Sequence, residues 1–225
     1  TFGPPIQPAS GLTLKVNEIA MANTQAQFGF SHFGYLPGGA PDYQLSKYAI
    51  QSTYATAIYF GDPVIKSAGG IGGAGGVYIK PMTTNVGTAI VGIFQGCMYT
   101  PSGGYPVWYP WYPAAAAGAD AVAYVLDAQN ALFKAATLLT ALGPGTIGQL
   151  VGFSTGAGGT TVGGGFSSYT IDQSTATIAT TTLAFQVYGM YPGVGNGSDT
   201  TTNYNWVIVN FARQRFQTGG GGLGS

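Results

Sequence analysis

Ala89–Ala136 reads AIVGIFQGCMYTPSGGYPVWYPWYPAAAAGADAVAYVLDAQNALFKAA, and its patterning decides the fold class. Its first ten residues, Ala89–Met98, form an apolar run of strand length that is typical of a fully buried strand. Two further short apolar runs, Ala121–Leu126 and Ala131–Ala136, are joined by the polar residues 127–130. This order predicts a strand, a polar turn and a second strand.

The segment between the first and the second of these runs is rich in aromatic residues and prolines. A Thr-Pro-Ser-Gly-Gly turn at 100–104 leads into Tyr105–Pro113, where three prolines exclude a helix and a central strand, since proline has no N–H to donate. The segment is therefore predicted to be extended or at a sheet edge. Its rings allow three interpretations: packing in the protein's own core, anchoring an interface, or forming a sugar-stacking platform. The residues concerned are Trp108, Tyr109, Trp111 and Tyr112.

The rest of the chain repeats the pattern of short strands between Gly and Pro turns. Candidate strands lie within 43–60, 64–65, 77–80, 169–178, 181–191 and 206–211. Little of the chain has helical composition, and Gly143-Pro144-Gly145 ends the best helical candidate. We therefore predict an all-β fold, an antiparallel β-sandwich that is jelly-roll-like, with an extended N-terminal arm and Gly-rich loops.

Three regions follow from composition: an extended arm at 1–43, a β-sandwich or jelly-roll-like domain at 44–217 and a flexible tail at 218–225. Prolines and glycines prevent early regular structure in the arm. The arm is either available to a neighbouring subunit or a disordered terminus. In the first case, the candidate interface residues are Leu12, Leu14, Val16, Phe28, Phe30, Phe33 and Tyr35, with Trp108, Tyr109, Trp111 and Tyr112.

Charge is scarce. Only 6% of the residues are charged, and 7 Lys and Arg balance 7 Asp and Glu. This composition gives no electrostatic footprint for nucleic acid or an anionic membrane, and no apolar segment reaches the ~18 residues of a membrane span. We expect no nucleic-acid or membrane partner. A weakly charged surface suits a subunit surrounded by copies of itself and by partners.

Catalytic and metal-binding residues are also few. His32 is the sole histidine and Glu18 the sole glutamate, so we expect no enzyme activity, no metal and no cofactor. Cys97, the sole cysteine, lies in an apolar run and is predicted to be a buried core thiol. Asp120 and Asp127 flank one predicted strand and are interpreted as turn carboxylates that cap backbone N–H groups.

The order of these motifs resembles a known family. VGIFQG at 91–96, a Pro-Ser-Gly-Gly turn, the WYP repeat at 108–113 and ADAVAYVLDAQNALFK at 119–134 are similar, in this order, to tailed-bacteriophage capsid decoration (cement) proteins. The similarity extends from about residue 28 to NWVIVN at 205–210. Each motif is short, so the resemblance depends on their order.

The resemblance implies a structural virion protein on the outer surface of the capsid, assembled in the host cytoplasm. It would bind the icosahedral head, stabilise contacts between subunits of the major capsid protein, and associate with itself as a dimer or trimer. The residues alone leave a competing interpretation open. This is a carbohydrate-binding or adhesion module, a component of the head or of a tail fibre, that uses Trp108 and Trp111 on a β-sandwich.

Overall fold

The computed structural model describes residues 23–24, 28–37, 44–71, 77–83, 89–114, 121–138, 140–155, 165–178 and 183–212. These residues form strands and one 3-10 turn, Pro144–Thr146, which confirms the predicted all-β class. The strands are β1 (Ser31–Tyr35), β2 (Ser46–Ile50), β3 (Pro63–Ile71), β4 (Val77–Pro81), β5 (Gly92–Tyr99), β6 (Val107–Tyr109), β7 (Ala121–Leu126), β8 (Ala131–Ala136), β9 (Leu150–Ser154), β10 (Thr170–Thr177), β11 (Phe185–Met190) and β12 (Trp206–Phe211).

The strands form two six-stranded sheets. The first, which we call the open sheet, has the order β1-β8-β12-β11-β9-β10, and its neighbours are antiparallel. The second has the order β3-β4-β2-β7-β5-β6, and an additional β3–β5 pairing closes its first five strands into a barrel. β6 extends the barrel sheet from β5. One pair, β2–β4, is parallel, where the sequence predicted antiparallel neighbours.

The polar turn at 127–130 carries the chain from the barrel to the open sheet. β7 pairs with β2 and β5 of the barrel, while β8 pairs with β1 and β12. Ala131 N donates to Ala128 O at 3.1 Å and tightens the turn. The structure thus contains the predicted strand, turn and strand, and places the two strands in different sheets.

The barrel wall faces two apolar cores, because consecutive strand residues point to opposite faces. One member of each neighbouring pair packs inside the barrel, and the other packs against the open sheet. The residues inside the barrel are Val64, Phe94 and Val125; their neighbours Ile65, Ile93 and Leu126 meet Phe133, Phe153 and Phe185 of the open sheet. We call these the barrel core and the sheet core.

Part of the predicted arm belongs to the folded body. β1 pairs with β8, and Phe30 is fully buried, with its ring stacked 4.3 Å from that of Phe185. Phe30 N also donates to Gly61 O at 3.0 Å. The folded body therefore begins before the predicted boundary at residue 43. Burial of the aromatic side chains in this segment stabilises it against the sheet. Residues 1–22, with Leu12, Leu14 and Val16, lie outside the described residues.

Asn23 connects the chain before β1 to the loop before β12. Its Nδ2 donates to Asp199 O at 2.7 Å, and its Oδ1 accepts from Gly197 N at 2.7 Å. Thr24 N donates to Asn196 Oδ1 at 2.6 Å. Asn23 is 8% exposed, so these bonds are largely shielded from water. They hold this segment to the protein's own loop.

We expect Asn23→Ala to lower the free energy of unfolding by about 1 to 3 kcal/mol, because it leaves the Gly197 N–H and the Asp199 carbonyl without these partners. Urea denaturation measures the change. Thr24→Ala is the matched control, because Thr24 contributes its backbone N–H, which the substitution retains. Equal losses in the two variants would contradict the role of the Asn23 side chain.

Candidate functional site

The predicted interface aromatics separate into exposed and buried groups. Phe30 and Tyr112 are both 0% exposed and belong to the sheet core and the barrel core. Neither is available to a partner in this fold. The exposed ones are Phe33, Trp108 and Tyr109; Phe28, Tyr35 and Trp111 are half-buried.

An apolar row crosses three strands of the barrel sheet and ends at Trp108 on the edge strand β6. Met98 of β5 pairs with Trp108 of β6 on one side and with Val122 of β7 on the other. Their strand neighbours Cys97 and Ala123 point into the barrel core, so the row faces outward. Trp108 is 58% exposed and Met98 41%. We call Val122, Met98 and Trp108 the apolar row.

Gly96 fixes the position of the Trp108 ring. A Cβ at Gly96 would lie 2.8 Å from Trp108 Cζ2, so the indole ring packs directly on the glycine backbone. Gly96 has a φ of +133°, which side-chain-bearing residues rarely adopt, and it lies at a register shift between β5 and β7. The aromatic side chain is thus both exposed and held, as is typical of an interface anchor.

Trp111 has a different environment. Its ring stacks on Tyr59 at 6.1 Å, and a Cβ at Gly165 would collide with it. The next residue, Tyr112, exchanges backbone hydrogen bonds with Ile58 at 2.7 and 3.1 Å. These contacts hold residues 111–112 against the barrel. Trp111 does not form an open platform with Trp108.

The Cys97 thiol lies inside the barrel. It is 0% exposed, its Sγ donates to Trp111 O at 3.6 Å, and burial raises its pKa to about 12. The thiolate form needed for reactivity is therefore scarce at neutral pH. The structure confirms the predicted buried core thiol.

Of the two predicted turn carboxylates, Asp120 and Asp127, only Asp127 lies among the residues that the structure describes. Asp127 accepts from Ser46 Oγ and Tyr48 Oη, each at 2.8 Å, and so links β2 to the end of β7. Both of these donors are side-chain hydroxyls, which the sequence did not indicate. Asp120 lies outside the described residues.

Lys134 was not singled out from the sequence. It lies over three aromatic rings, at 4.3 Å from the Trp206 centroid, 5.0 Å from Phe28 and 5.3 Å from Tyr191. Burial lowers its pKa. Cation–π contacts offset part of the cost of that burial. Phe28, a predicted interface residue, is thereby engaged within the chain.

The described residues offer no metal centre: no three His, Cys, Asp or Glu side chains among them lie close enough to hold an ion. His32 packs against Tyr35 and Phe133, with ring centroids 4.9 and 6.4 Å away, and its Nε2 is buried without a hydrogen-bond partner. In the same parts of the chain, no helix has the length and apolar character to cross a membrane.

Asp62 is an acidic residue that the fold buries. The sequence places it in a Gly-Asp-Pro turn, and nothing local signals its burial. It is nevertheless 2% exposed and lines a pocket beside the barrel. The pocket is rich in tyrosine, with Tyr54, Tyr59 and Tyr169 in its lining.

In comparisons with known proteins, no protein-family model, curated protein or solved structure matches this chain.

Proposed function

We propose that this protein is a structural virion subunit, a capsid decoration or cement protein. It binds the outer surface of an icosahedral phage head and stabilises contacts between major capsid protein subunits. The order of its sequence motifs and its low charge support this proposal. The structural observation that carries it is the exposed apolar row, with Trp108 held rigidly on the barrel.

The proposed mechanism is burial of surface against the shell. Trp and Met are enriched in interface cores, and a central Trp commonly contributes about 2 kcal/mol or more. β6 has one hydrogen-bonded neighbour among the described strands, so its other edge can accept a strand from a partner. Residues 1–22 are proposed to reach neighbouring subunits. Many copies on one head multiply a modest contact.

Two finer features belong to the same proposal. The first is a jelly-roll-like, sandwich arrangement of the sheets, which is supported by the core that the two sheets share. The second is self-association as a dimer or trimer at a symmetry axis of the shell.

Trp108→Ala is expected to weaken binding to phage heads that lack this protein by about 30-fold, which corresponds to about 2 kcal/mol. Co-sedimentation of the purified protein with such heads measures the affinity. Tyr188→Ala is the matched control, because Tyr188 is an exposed aromatic residue (42%) on β11 of the open sheet. Head binding that is absent in the parent protein, or equal in Trp108→Ala and the parent, would contradict the proposal.

A carbohydrate-binding or adhesion module is the second candidate. The observation that favours it is the exposure of Trp108 and of Tyr105, which is 88% exposed three residues earlier. Glycan binding by the isolated protein that is lost in Trp108→Ala, together with no binding to heads, would select this alternative. The half-buried Trp111 is not expected to contribute directly.

A further inference from the structure

A pocket of about 350 Å³ opens beside the barrel core. Its lining includes Tyr54, Thr56, Tyr59, Asp62, Thr83 and Tyr169. The pocket therefore combines three aromatic rings, two hydroxyl side chains and one carboxyl group.

The Asp62 carboxyl has an unused acceptor. Oδ2 accepts from Tyr59 N at 2.8 Å, whereas Oδ1 is buried without a hydrogen-bond partner. Buried polar atoms in folded proteins are usually paired, and an unpaired one costs about 1 to 3 kcal/mol. A donor that reaches this atom from the pocket would satisfy it.

The same carboxyl has no counter-charge. None of the described lysines forms an ion pair with it, and no cation is among the groups that shift its pKa. Burial raises that pKa to about 7, opposed by the hydrogen bond from the Tyr59 amide. A buried carboxylate without a counter-charge is costly, and a cationic ligand would offset this cost.

Contacts outside the pocket hold two of the three rings in place. Tyr169 Oη donates to Met82 O at 2.8 Å, and the Tyr59 ring stacks on Trp111. Aromatic faces next to a carboxylate favour an ammonium ion and the methylenes attached to it. Because Asp62 is only 2% exposed, a compact donor reaches it more readily than a planar guanidinium or a quaternary ammonium.

We propose that this pocket binds a primary ammonium group on an alkyl chain. The Asp62 carboxylate accepts its N–H donors, and the rings of Tyr54, Tyr59 and Tyr169 pack against the adjoining methylenes. Such a group is supplied by a lysine side chain of a partner protein or by a free polyamine. This site is separate from the apolar row, so it stands whether or not the protein binds phage heads.

The test uses the full chain and n-butylammonium, followed by NMR of the tyrosine and aspartate side chains at a pH above 7. We expect binding with a dissociation constant of about 1 to 10 mM, weakened at least tenfold in Asp62→Asn. Asp172→Asn is the matched control, because Asp172 lies in β10, outside the pocket lining, and accepts from its own neighbour Ser174. n-Butanol, equal in chain length and uncharged, controls for apolar binding.

Binding of n-butanol as tight as that of n-butylammonium would overturn the proposal, as would unchanged affinity in Asp62→Asn or no binding at all. The parent protein gives an independent check that does not depend on the variant's folding. Its affinity for n-butylammonium should rise as the pH passes through about 7, because Asp62 ionises there. The other titratable groups lining the pocket are the hydroxyls of Tyr54, Tyr59 and Tyr169; burial raises the pKa of Tyr54 and Tyr169 further above this range. A pH-independent affinity would contradict the role of Asp62.

Two further probes distinguish the sources of the ammonium group. Tighter binding of Nα-acetyl-lysine amide than of spermidine supports a lysine side chain. The reverse order supports a polyamine.

Discussion

Phe185→Ala is expected to lower the free energy of unfolding by about 3 to 5 kcal/mol, because it removes a ring from the centre of the sheet core. Phe185 is 0% exposed. Its ring stacks on Phe30 at 4.3 Å and contacts Phe211 at 6.0 Å and Phe153 at 6.4 Å. Strands on both sides of β11 and the segment before β1 fix these rings, so the cavity cannot collapse easily.

The effect should reach the barrel as well. Ile65, Ile93 and Leu126 of the barrel wall pack in the sheet core, so the two cores are expected to unfold together. Urea denaturation measures the loss, and amide hydrogen exchange locates it: the slowest amides of β5 and β12 should accelerate by the same factor. Tyr188→Ala, on the same strand but 42% exposed, should change stability by less than about 0.5 kcal/mol. Acceleration confined to β12 would show that the barrel unfolds independently.

The strands were predictable where local patterning is strong. β5, β7, β8 and β12 coincide closely with apolar runs, because buried strands require such runs whatever they pair with. Pairing was not predictable. Barrel closure depends on Pro63 meeting Ile93, and the parallel pair depends on Ala49 meeting Tyr78, contacts for which the local sequence carries no signal.

The lack of a local signal for distant contacts also explains why the structure of the arm and of the candidate site was not fully predicted. The aromatics after Phe28 have a spacing that suits either an exposed arm or a pinned strand, and Phe185, far along the chain, decides it. Within the WYP repeat, Trp108 and Trp111 are each followed by Tyr-Pro, so the local sequence hardly distinguishes them. The Trp108 ring packs on Gly96 and stays exposed, whereas Gly165 and Tyr59 cover the Trp111 ring. The rings around Lys134, and Tyr169 in the pocket beside Asp62, likewise come from distant parts of the chain.

The stability of the protein is expected to fall as the pH rises from about 4 to about 7, with Asp62 as a main cause. Its pKa is raised by burial from 3.8 to about 7 in the folded state. The folded state therefore holds a proton that the unfolded state has released in this range, so the contribution of protonated Asp62 is complete below about pH 4 and is lost above about pH 7. The shift corresponds to at most about 4 kcal/mol.

Asp62→Asn separates this contribution from other titrations. The amide is close in size and cannot ionise, so the variant should lose the Asp62 part of the pH dependence and gain stability relative to the parent as the pH rises. Urea denaturation of both proteins at a series of pH values measures the difference. Asp172→Asn, which replaces a carboxylate of β10 outside the pocket, is the matched control and should not reproduce the gain of Asp62→Asn. A constant difference between Asp62→Asn and the parent across this range would show that Asp62 ionises normally in the folded protein, and that the pocket has room for water at its carboxyl.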